Sequence, residues 1–499
     1  MEGSATHRGR SGRVTFTGSA AYTKTDGFSV PSDADLPFSQ ASGSEMRTNT
    51  DSRVTNLFAN GTYDFNRSRV GVSILHVDAE KGIAPESHLD PAASRVRFWR
   101  YPEWRNTMVI VNGEGVSGGG TGWKGAAWVN AFSQEIESYQ SALFQTIDER
   151  QQDNDFTVGT RLILSQTLGT GLAKFSFNGL TSTHKQRDVE LDASGNPDPS
   201  QTFPRLEFQQ HIFSFGAEYG FNPSVPLTVT IGASFDAMVT PKTGDKPDRD
   251  ASTNYTATIG AMYDAGDAWF VRGAVGRKTR FPTMRELFGE ALNRFQLNPN
   301  LDIESSVLTE IAVGFRGETF SGEIIPFGTF TSGTIDQETV LLAGETRPRR
   351  QRINLEGSRV LGVELVGTAA ASEEITVEGH LTLMDVHVQQ TASSDPDKLT
   401  EKPAALGRVS VSYFGEQGTG FTVESVYTGR AYSLNDNNQF VPLESSLTFN
   451  VRVSQRIDLA PRWVELFVRA DNVTNEVVLP QLGLPAPGRT VSGGVKVGL

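Results

Sequence analysis

Residues 12–28 read GRVTFTGSAAYTKTDGF. Taken by twos, Val14, Phe16, Gly18, Ala20 and Tyr22 fall on one side, and Thr15, Thr17, Ser19, Ala21 and Thr23 on the other. A period of two marks a β-strand with one apolar and one polar face. The pattern recurs in TVTIGASFDAMV (228–239: Val229, Ile231, Ala233, Phe235) and in SLTFNVRVSQR (446–456: Leu447, Phe449, Val451, Val453). In SSVLTEIAVGFRG (305–317), Val307, Ile311, Val313 and Phe315 oppose Glu310 and Arg316. In AWFVRGAVG (268–276), Trp269, Val271 and Val275 oppose Arg272. These runs cover about 10–15 residues, longer than the usual globular strand of about 5–6. A tilted strand needs about 9–11 to cross a bilayer.

The pattern segments the chain into about 20 strands, beginning near residues 12, 51, 69, 105, 122, 155, 172, 206, 226, 253, 268, 304, 321, 355, 374, 405, 420, 445, 462 and 490. Short links (64–69, 220–226, 264–269, 415–420, 458–463) alternate with long ones (25–50, 80–104, 134–154, 187–205, 278–303, 334–354, 388–404, 473–489). That asymmetry predicts an all-β, transmembrane antiparallel β-barrel with short periplasmic turns and long extracellular loops. A β-propeller would need a repeat of roughly 40–50 residues, which is missing.

Composition agrees. The 499 residues are 37% hydrophobic with 50 glycines, which suits a barrel whose strands are apolar on one face only. No run approaches the roughly 20 apolar residues of a transmembrane helix, and the opening MEGSATHRGRSG carries no apolar signal region. There is no cysteine, so no disulfide or thiolate metal site, and a net charge of −13 argues against a nucleic-acid partner.

At 276–304, GRKTRFPTMRELFGEALNRFQLNPNLDIE resembles the barrel of TonB-dependent outer-membrane receptors. The matching positions are Phe281, Pro282, Glu286, Leu287, Phe288, Asn298, Pro299, Leu301 and, on the next strand, Glu310. INLEGSRVLGVELVG is similar to a second family segment through Asn354, Gly362, Val363 and Glu364; the ending matches through Asp471, Asn472, Asn475, Pro487, Gly488 and Arg489. The resemblance implies a 22-strand barrel in the bacterial outer membrane, among lipid and lipopolysaccharide. It also implies a small-molecule substrate (siderophore, haem, cobalamin or oligosaccharide) and energy from the TonB complex, with no catalysis or cofactor. The family's plug and TonB-engaging box are not matched. The expectation is an N-terminally truncated receptor without signal peptide, plug or about two strands: residues 1–11 a remnant or turn, residues 12–499 the barrel. A plugless passive pore and a surface-binding barrel are the rivals; a soluble all-β enzyme is the weakest reading.

RVRFWRYPEWR (95–105) sets Phe98, Trp99, Tyr101 and Trp104 among Arg95, Arg97, Arg100 and Arg105. It reads either as a ligand- or lipopolysaccharide-facing patch or, the favoured reading, as an aromatic girdle at the membrane rim. RPRRQR (347–352), with Arg347, Arg349 and Arg350, is an anion-binding loop or a solvated one. DKPDRD (245–250) reads as a mobile charged loop rather than a calcium site, and GVSGGGTG (115–122) as a hairpin turn. The seven histidines show no metal-ligand spacing, and the 281–288 motif reads as local packing. Pro326 lies inside a presumed strand, where it removes a ladder donor, so a bulge or a different boundary is expected there.

Overall fold

The structure is a computed structural model that describes residues 1–34, 46–192, 194–292, 294–298, 300–389, 398–435, 437 and 439–498. In chain order the first strands are β1 (Glu2–Ser11), β2 (Val14–Thr25), β3 (Ser52–Asp64), β4 (Ser68–Gly82), β5 (Trp99–Val116), β6 (Gly122–Tyr139) and β7 (Ile147–Leu168). There follow β8 (Gly171–Glu190), β9 (Leu206–Ser224), β10 (Leu227–Thr243), β11 (Ser252–Ala265), β12 (Trp269–Arg280), helix α1 (Met284–Phe288), β13 (Phe295–Gln296) and β14 (Glu304–Arg316). Then come β15 (Phe320–Ser332), β16 (Ile335–Val340), β17 (Arg349–Asn354), β18 (Gly357–Ala370), β19 (Ile375–Gln389), β20 (Ala405–Phe414) and β21 (Thr419–Thr428). The last are β22 (Ala431–Leu434), β23 (Phe440–Leu443), β24 (Ser446–Leu459), β25 (Arg462–Asp471) and β26 (Thr490–Gly498).

Among the described residues, 21 strands make one sheet of antiparallel neighbours; β13–β17–β16 and β22–β23 lie in the loops. All twenty expected strands are present. The addition is β1, from the stretch expected as a remnant or turn. It pairs with β2 from Glu2↔Thr23 to Ser11↔Val14 across a two-residue turn whose Gly12 has a φ of +58°. Its lipid-side positions are Gly3, Ala5, His7, Gly9 and Ser11. No apolar alternation marks them; Phe16 supplies the bulk, its ring lying where a Gly9 Cβ would stand.

Register shows the two faces. Cross-strand rows such as Phe16↔Gly61↔Val72↔Val111 and Phe421↔Val453↔Val468 alternate with rows of charged or polar side chains. Phe16 is 40% and Ile311 55% exposed, and Val229 and Val451 are half-buried, so none of these sits in a compact core. On the opposite face Arg272 pairs with Glu310 and, at 3.1 Å, Glu323; Arg408 pairs with Glu424, and Arg452 with Glu465. A greasy outside and a charged, hydrated inside are what a wide barrel requires.

Several boundaries differ from expectation; β5, for one, begins at Trp99, not near 105. β7 begins at Ile147, not near 155, and β6 runs to Tyr139, so the expected 134–154 loop is mostly sheet. The wall there rises above the apolar band, and polar pairs such as Gln152–Glu135 (2.9 Å) and Arg150–Glu137 (2.8 Å) replace the apolar alternation that marked strands in the sequence. Pro326 causes neither bulge nor break. Register on either side stays constant (Glu310↔Phe327, Val313↔Ile324), and the ladder between β14 and β15 skips the rungs between.

β1 and β26 both run from the long-loop end to the tight-turn end, so they are parallel, and no ladder joins them among the described residues. Loops bring these two ends of the sheet together instead. Gly488 N donates to Ser29 O at 2.8 Å, and Ser87 N donates to Gly483 O at 3.1 Å. Buried Arg47 donates to the carbonyls of Pro485 (3.1 Å), Pro85 (3.0 Å) and Gly483 (2.9 Å). Burial, opposed by Glu86 and reinforced by Arg97, brings its pKa to about 10, which leaves it charged at neutral pH.

The sidedness is testable by charge insertion. Ile311→Arg, on the apolar face, should destabilise the refolded barrel by about 2–4 kcal/mol, whereas Thr382→Arg, on the lumen face, should cost about 1 kcal/mol or less. Urea titration in detergent or lipid reads both; equal costs would overturn the assignment of faces.

Candidate functional site

On the lumen side, the upper wall of β6–β9 carries a polar network. Asp153, 2% exposed, accepts hydrogen bonds from Gln134 Nε2 (2.5 Å) and from Gln151 Nε2 (3.0 and 2.9 Å). His184 pairs with Asp155. A network with its polar atoms satisfied is rigid, and here it also holds a loop. Gln151 Oε1 accepts the Leu292 N–H at 3.2 Å, and Gln210 Nε2 donates to Pro282 O at 3.1 Å.

That loop, 281–303, is built by the family motif. Thr283 caps α1 reciprocally with Glu286: Glu286 N donates to Thr283 Oγ1 (3.2 Å), and Thr283 N to Glu286 Oε2 (2.8 Å). Arg280 reaches Glu286 at 2.8 Å and also Glu304. Leu287, Phe288 and Leu301 pack with Phe208 in a buried cluster, with Phe288 stacked on Phe208 at 4.9 Å. Asn298 Nδ2 donates to Arg352 O at 3.0 Å, and Asn354 Nδ2 to Asp302 O at 3.1 Å, which docks the β16–β17 hairpin onto the loop. Pro299 lies outside the described residues.

Wall, loop and hairpin enclose a cavity of about 490 Å³. Its aromatic surface is Trp99, Tyr101 and Phe295 and its cationic surface Arg285 and Arg352; Asp153 and Asp155 also line it, both engaged in the wall network. Arg352 stacks over Phe295 at 4.2 Å and donates to Arg285 O at 3.1 Å. Burial lowers its pKa; Glu286 opposes the shift and Arg285 adds to it. The Arg285 side chain is exposed and makes no ion pair among the described residues. Two cations beside three aromatic faces suit a planar or aromatic anion.

The sequence-predicted residues divide. A register shift between Arg100 and Glu103 on β5 turns Trp99, Tyr101 and Trp104 to the lumen side; Phe98 is buried. The favoured girdle reading is therefore corrected: these rings do not face lipid. Trp99 and Tyr101 line the cavity, while Trp104 packs edge-on to Phe132 at 5.3 Å. Arg100 is bound to Asp51 (2.9 and 2.7 Å). Arg97 (2.5 Å) and Arg294 (2.6 Å) share buried Glu86, while Arg95 (3.2 Å) and Arg349 share Glu345. Arg350 N donates to Arg294 O at 3.0 Å, and Arg347 is exposed. Arg95, Arg97, Arg100, Arg294, Arg349 and Arg350 tie loops together. In 245–250, Lys246 meets Asp245 (3.2 Å) and Glu290 (3.4 Å), and Arg249 donates to Leu301 O (2.7 Å), so that segment also is tethered.

Other motif residues are structural. Gly362 leaves room for Phe327, and Glu364 stands on the lumen face beside Glu310. Asn472 and Asn475 adopt positive φ and bond Glu476 O (2.9 Å) and Arg489 N (2.8 Å), and a Cβ on Gly488 would meet the Pro31 backbone. Sequence reasoning passed over Arg285, Phe295 and Arg352. Arg285 and Phe295 sit within the quoted 276–304 segment, and Arg352 ends RPRRQR, but their convergence needs the hairpin docked. No group of three metal-ligating side chains occurs among the described residues.

A family model described as TonB dependent receptor-like, beta-barrel, matches residues 5–473. No curated protein sequence matches the chain. The FrpB iron transporter from Neisseria meningitidis is similar in structure, with a TM-score of 0.77 at 14% identity, covering 99% of this chain and 78% of that one. The copper transporter OprC aligns with a TM-score of 0.77 at 12% identity, over 97% and 75% of the two chains. The ferripyoverdine receptor of Pseudomonas aeruginosa aligns with a TM-score of 0.75 at 11% identity, over 99% and 69%.

The loop clasp should be acid-labile. Burial alone would raise the Glu86 pKa, but Arg294, Arg97 and the Arg97 N–H outweigh it and hold it below the usual carboxylate range. A depressed carboxylate contributes stability that is present at neutral pH and lost as pH falls through the folded value. A spin label at Asp90 should stay immobile from pH 7 to 5 and gain mobility as pH drops further; Glu86→Gln should be mobile throughout.

Proposed function

This chain belongs to the family of TonB-dependent receptor β-barrels, and from that premise we propose that it forms the outer-membrane barrel of an importer for a scarce, anionic small molecule of the ferric-siderophore kind. The observation that carries the reading is the lumen cavity, where Arg285 and Arg352 stand beside Trp99, Tyr101 and Phe295. A carboxylate- or catecholate-bearing chelate offers negative charge to the guanidinium groups and flat rings to the aromatics. The long loops lie above it, held by the Glu86 and Glu345 arginine pairs. The apolar band sits in membrane lipid, with lipopolysaccharide on the loop side.

No bond of the cargo is broken in this scheme. Capture in the cavity precedes release into the hydrated lumen, whose wall of paired charges gives an ion no deep trap. Energy would come through the TonB complex. The parallel β1 and β26, which no ladder joins among the described residues, disfavour a self-closed passive pore, because regular antiparallel closure needs an even strand count.

Quenching of Trp99 fluorescence by a panel of ferric chelates tests the reading. Arg285→Ala and Arg352→Ala should each weaken an anionic chelate by about 10–100-fold, the worth of one charge-assisted hydrogen bond. A neutral chelate should be little affected. Unchanged affinity in both variants, or binding with Trp99 unperturbed, would remove the cavity from the mechanism. Accumulation that persists in cells lacking the TonB complex would refute the coupling scheme.

A further inference from the structure

The top of the wall beside the lumen cavity is crowded with acids. Trp99, which lines the cavity, begins a row of ladder partners that runs Trp99↔Ser138↔Glu149↔Glu190. On the same face the next row toward the membrane is Ile136↔Gln151↔Asp188, and the one below it Gln134↔Asp153↔Gln186. Ile136, Gln151 and Gln186 also line the cavity. Glu149 is two strands from Trp99, about 10 Å between backbones. Glu149 and Asp188 are diagonal cross-strand neighbours, about 7–8 Å apart.

Asp188 accepts a hydrogen bond from Gln186 Nε2 at 2.8 Å, but its Oδ1 is buried and has no partner among the described residues. It faces His184 on its own strand, Asp153 and Glu149 on β7, and Glu290 on the loop that roofs the cavity. Glu149 faces Asp188, Glu190, Asp148 and, from the 83–98 loop, Arg95. The cations in reach are committed elsewhere: Arg95 meets Glu345 at 3.2 Å, Lys246 meets Glu290 at 3.4 Å, and His184 meets Asp155. A buried carboxyl oxygen that no donor reaches is costly to ionise and favours a proton. Burial, with Asp188, Glu190 and Asp148 adding to it and Arg95 opposing, pushes the Glu149 carboxyl up to about 7. Burial pushes the Asp188 carboxyl up to about 6; Gln186 and His184 oppose the shift, Asp153 and Glu290 reinforce it.

We propose that Glu149 and Asp188 make capture of an anionic cargo proton-linked: the cargo enters while both carboxyls are protonated and is loosened when they ionise. The proposal rests on the cargo reading above and adds its control by pH. Arg285 and Arg352 stay cationic throughout, so it is the wall that changes. Each carboxylate formed sets a negative charge near enough to the cavity to be felt at low ionic strength. A bound anion in turn favours the protonated carboxyls. Binding therefore takes up protons, and affinity falls as pH rises through those two values. That range lies above the one in which the Glu86 clasp opens, so the loops stay closed while the wall titrates.

The test uses the refolded 499-residue chain in detergent at low salt. The probes are a hexadentate ferric tris-catecholate, an anion of constant charge over the range used, and a neutral ferric trihydroxamate, both read by Trp99 quenching. From about pH 6 to about pH 8.5 the affinity of the anion should fall by about 5–10-fold, while that of the neutral chelate stays level. Glu149→Gln with Asp188→Asn should flatten the profile and hold the anion at the upper pH as tightly as the parent protein does at the lower. Difference infrared spectra of the parent protein should show a protonated carboxyl band that fades over the same range; the double variant, its fold checked by melting temperature, should lack it. A flat parent profile, with Arg285→Ala still weakening the anion, would overturn the proposal and leave the cargo reading standing. So would a pH dependence that persists in the folded double variant. An anion that quenches at no pH would overturn both.

Discussion

A peptide group in hydrocarbon has no water to bond, so each N–H and C=O crossing the membrane must find its partner within the protein. Among the described residues the partner is the neighbouring strand of the sheet, except along the outer edges of β1 and β26, which no ladder joins. The ladders from β1 to β26 answer that demand and leave the side chains to divide between lipid and water. Alternation follows, because each residue on a strand faces opposite to its neighbour. Phe16 and Thr15 are adjacent in sequence and belong to different solvents.

The same constraint shapes the ends. Above the apolar band water can satisfy the backbone again, and the chain is released into loops whose conformation depends on side chains. Those loops are organised by buried arginines. Arg47 gathers three carbonyls from two other loops, and Glu86 is shared by Arg97 and Arg294. Breaking such a buried pair on one side leaves an uncompensated charge, at a cost of about 3–5 kcal/mol. Specific geometry, rather than apolar burial, holds the roof over the cavity; the buried apolar cluster around Phe208 is small and serves to seat α1.

Much of this was legible. Strand count, sidedness and the tight turns followed from period two and from turn residues, because the membrane imposes a physical pattern on each strand independently. The stretches that resisted reading were those free of that pattern. β1 carries glycine, alanine and histidine outward and takes its bulk from Phe16. The upper parts of β6 and β7 are joined by polar pairs that resemble loop composition. Trp99, Tyr101 and Trp104 were read as a girdle because aromatics beside arginines fit an interface; the register shift at Arg100–Glu103 turns them inward, and nothing in the local composition announces it.

The sequence alone determined the class of structure: a membrane-spanning antiparallel wall with greasy and wet faces, loops at one end, and the motif that seats α1. Those features arise from local periodicity and short-range capping, which a linear chain displays. Tertiary structure decided what converges. Arg285 and Arg352 are 67 residues apart, Trp99 and Phe295 nearly 200, and they meet because ladders and docked hairpins bring them to one end of the lumen. Arg105 and Lys185 share one cross-strand row only because three strand pairings carry one to the other. Pairing register sets those distances, and register belongs to the sheet, not to any single strand.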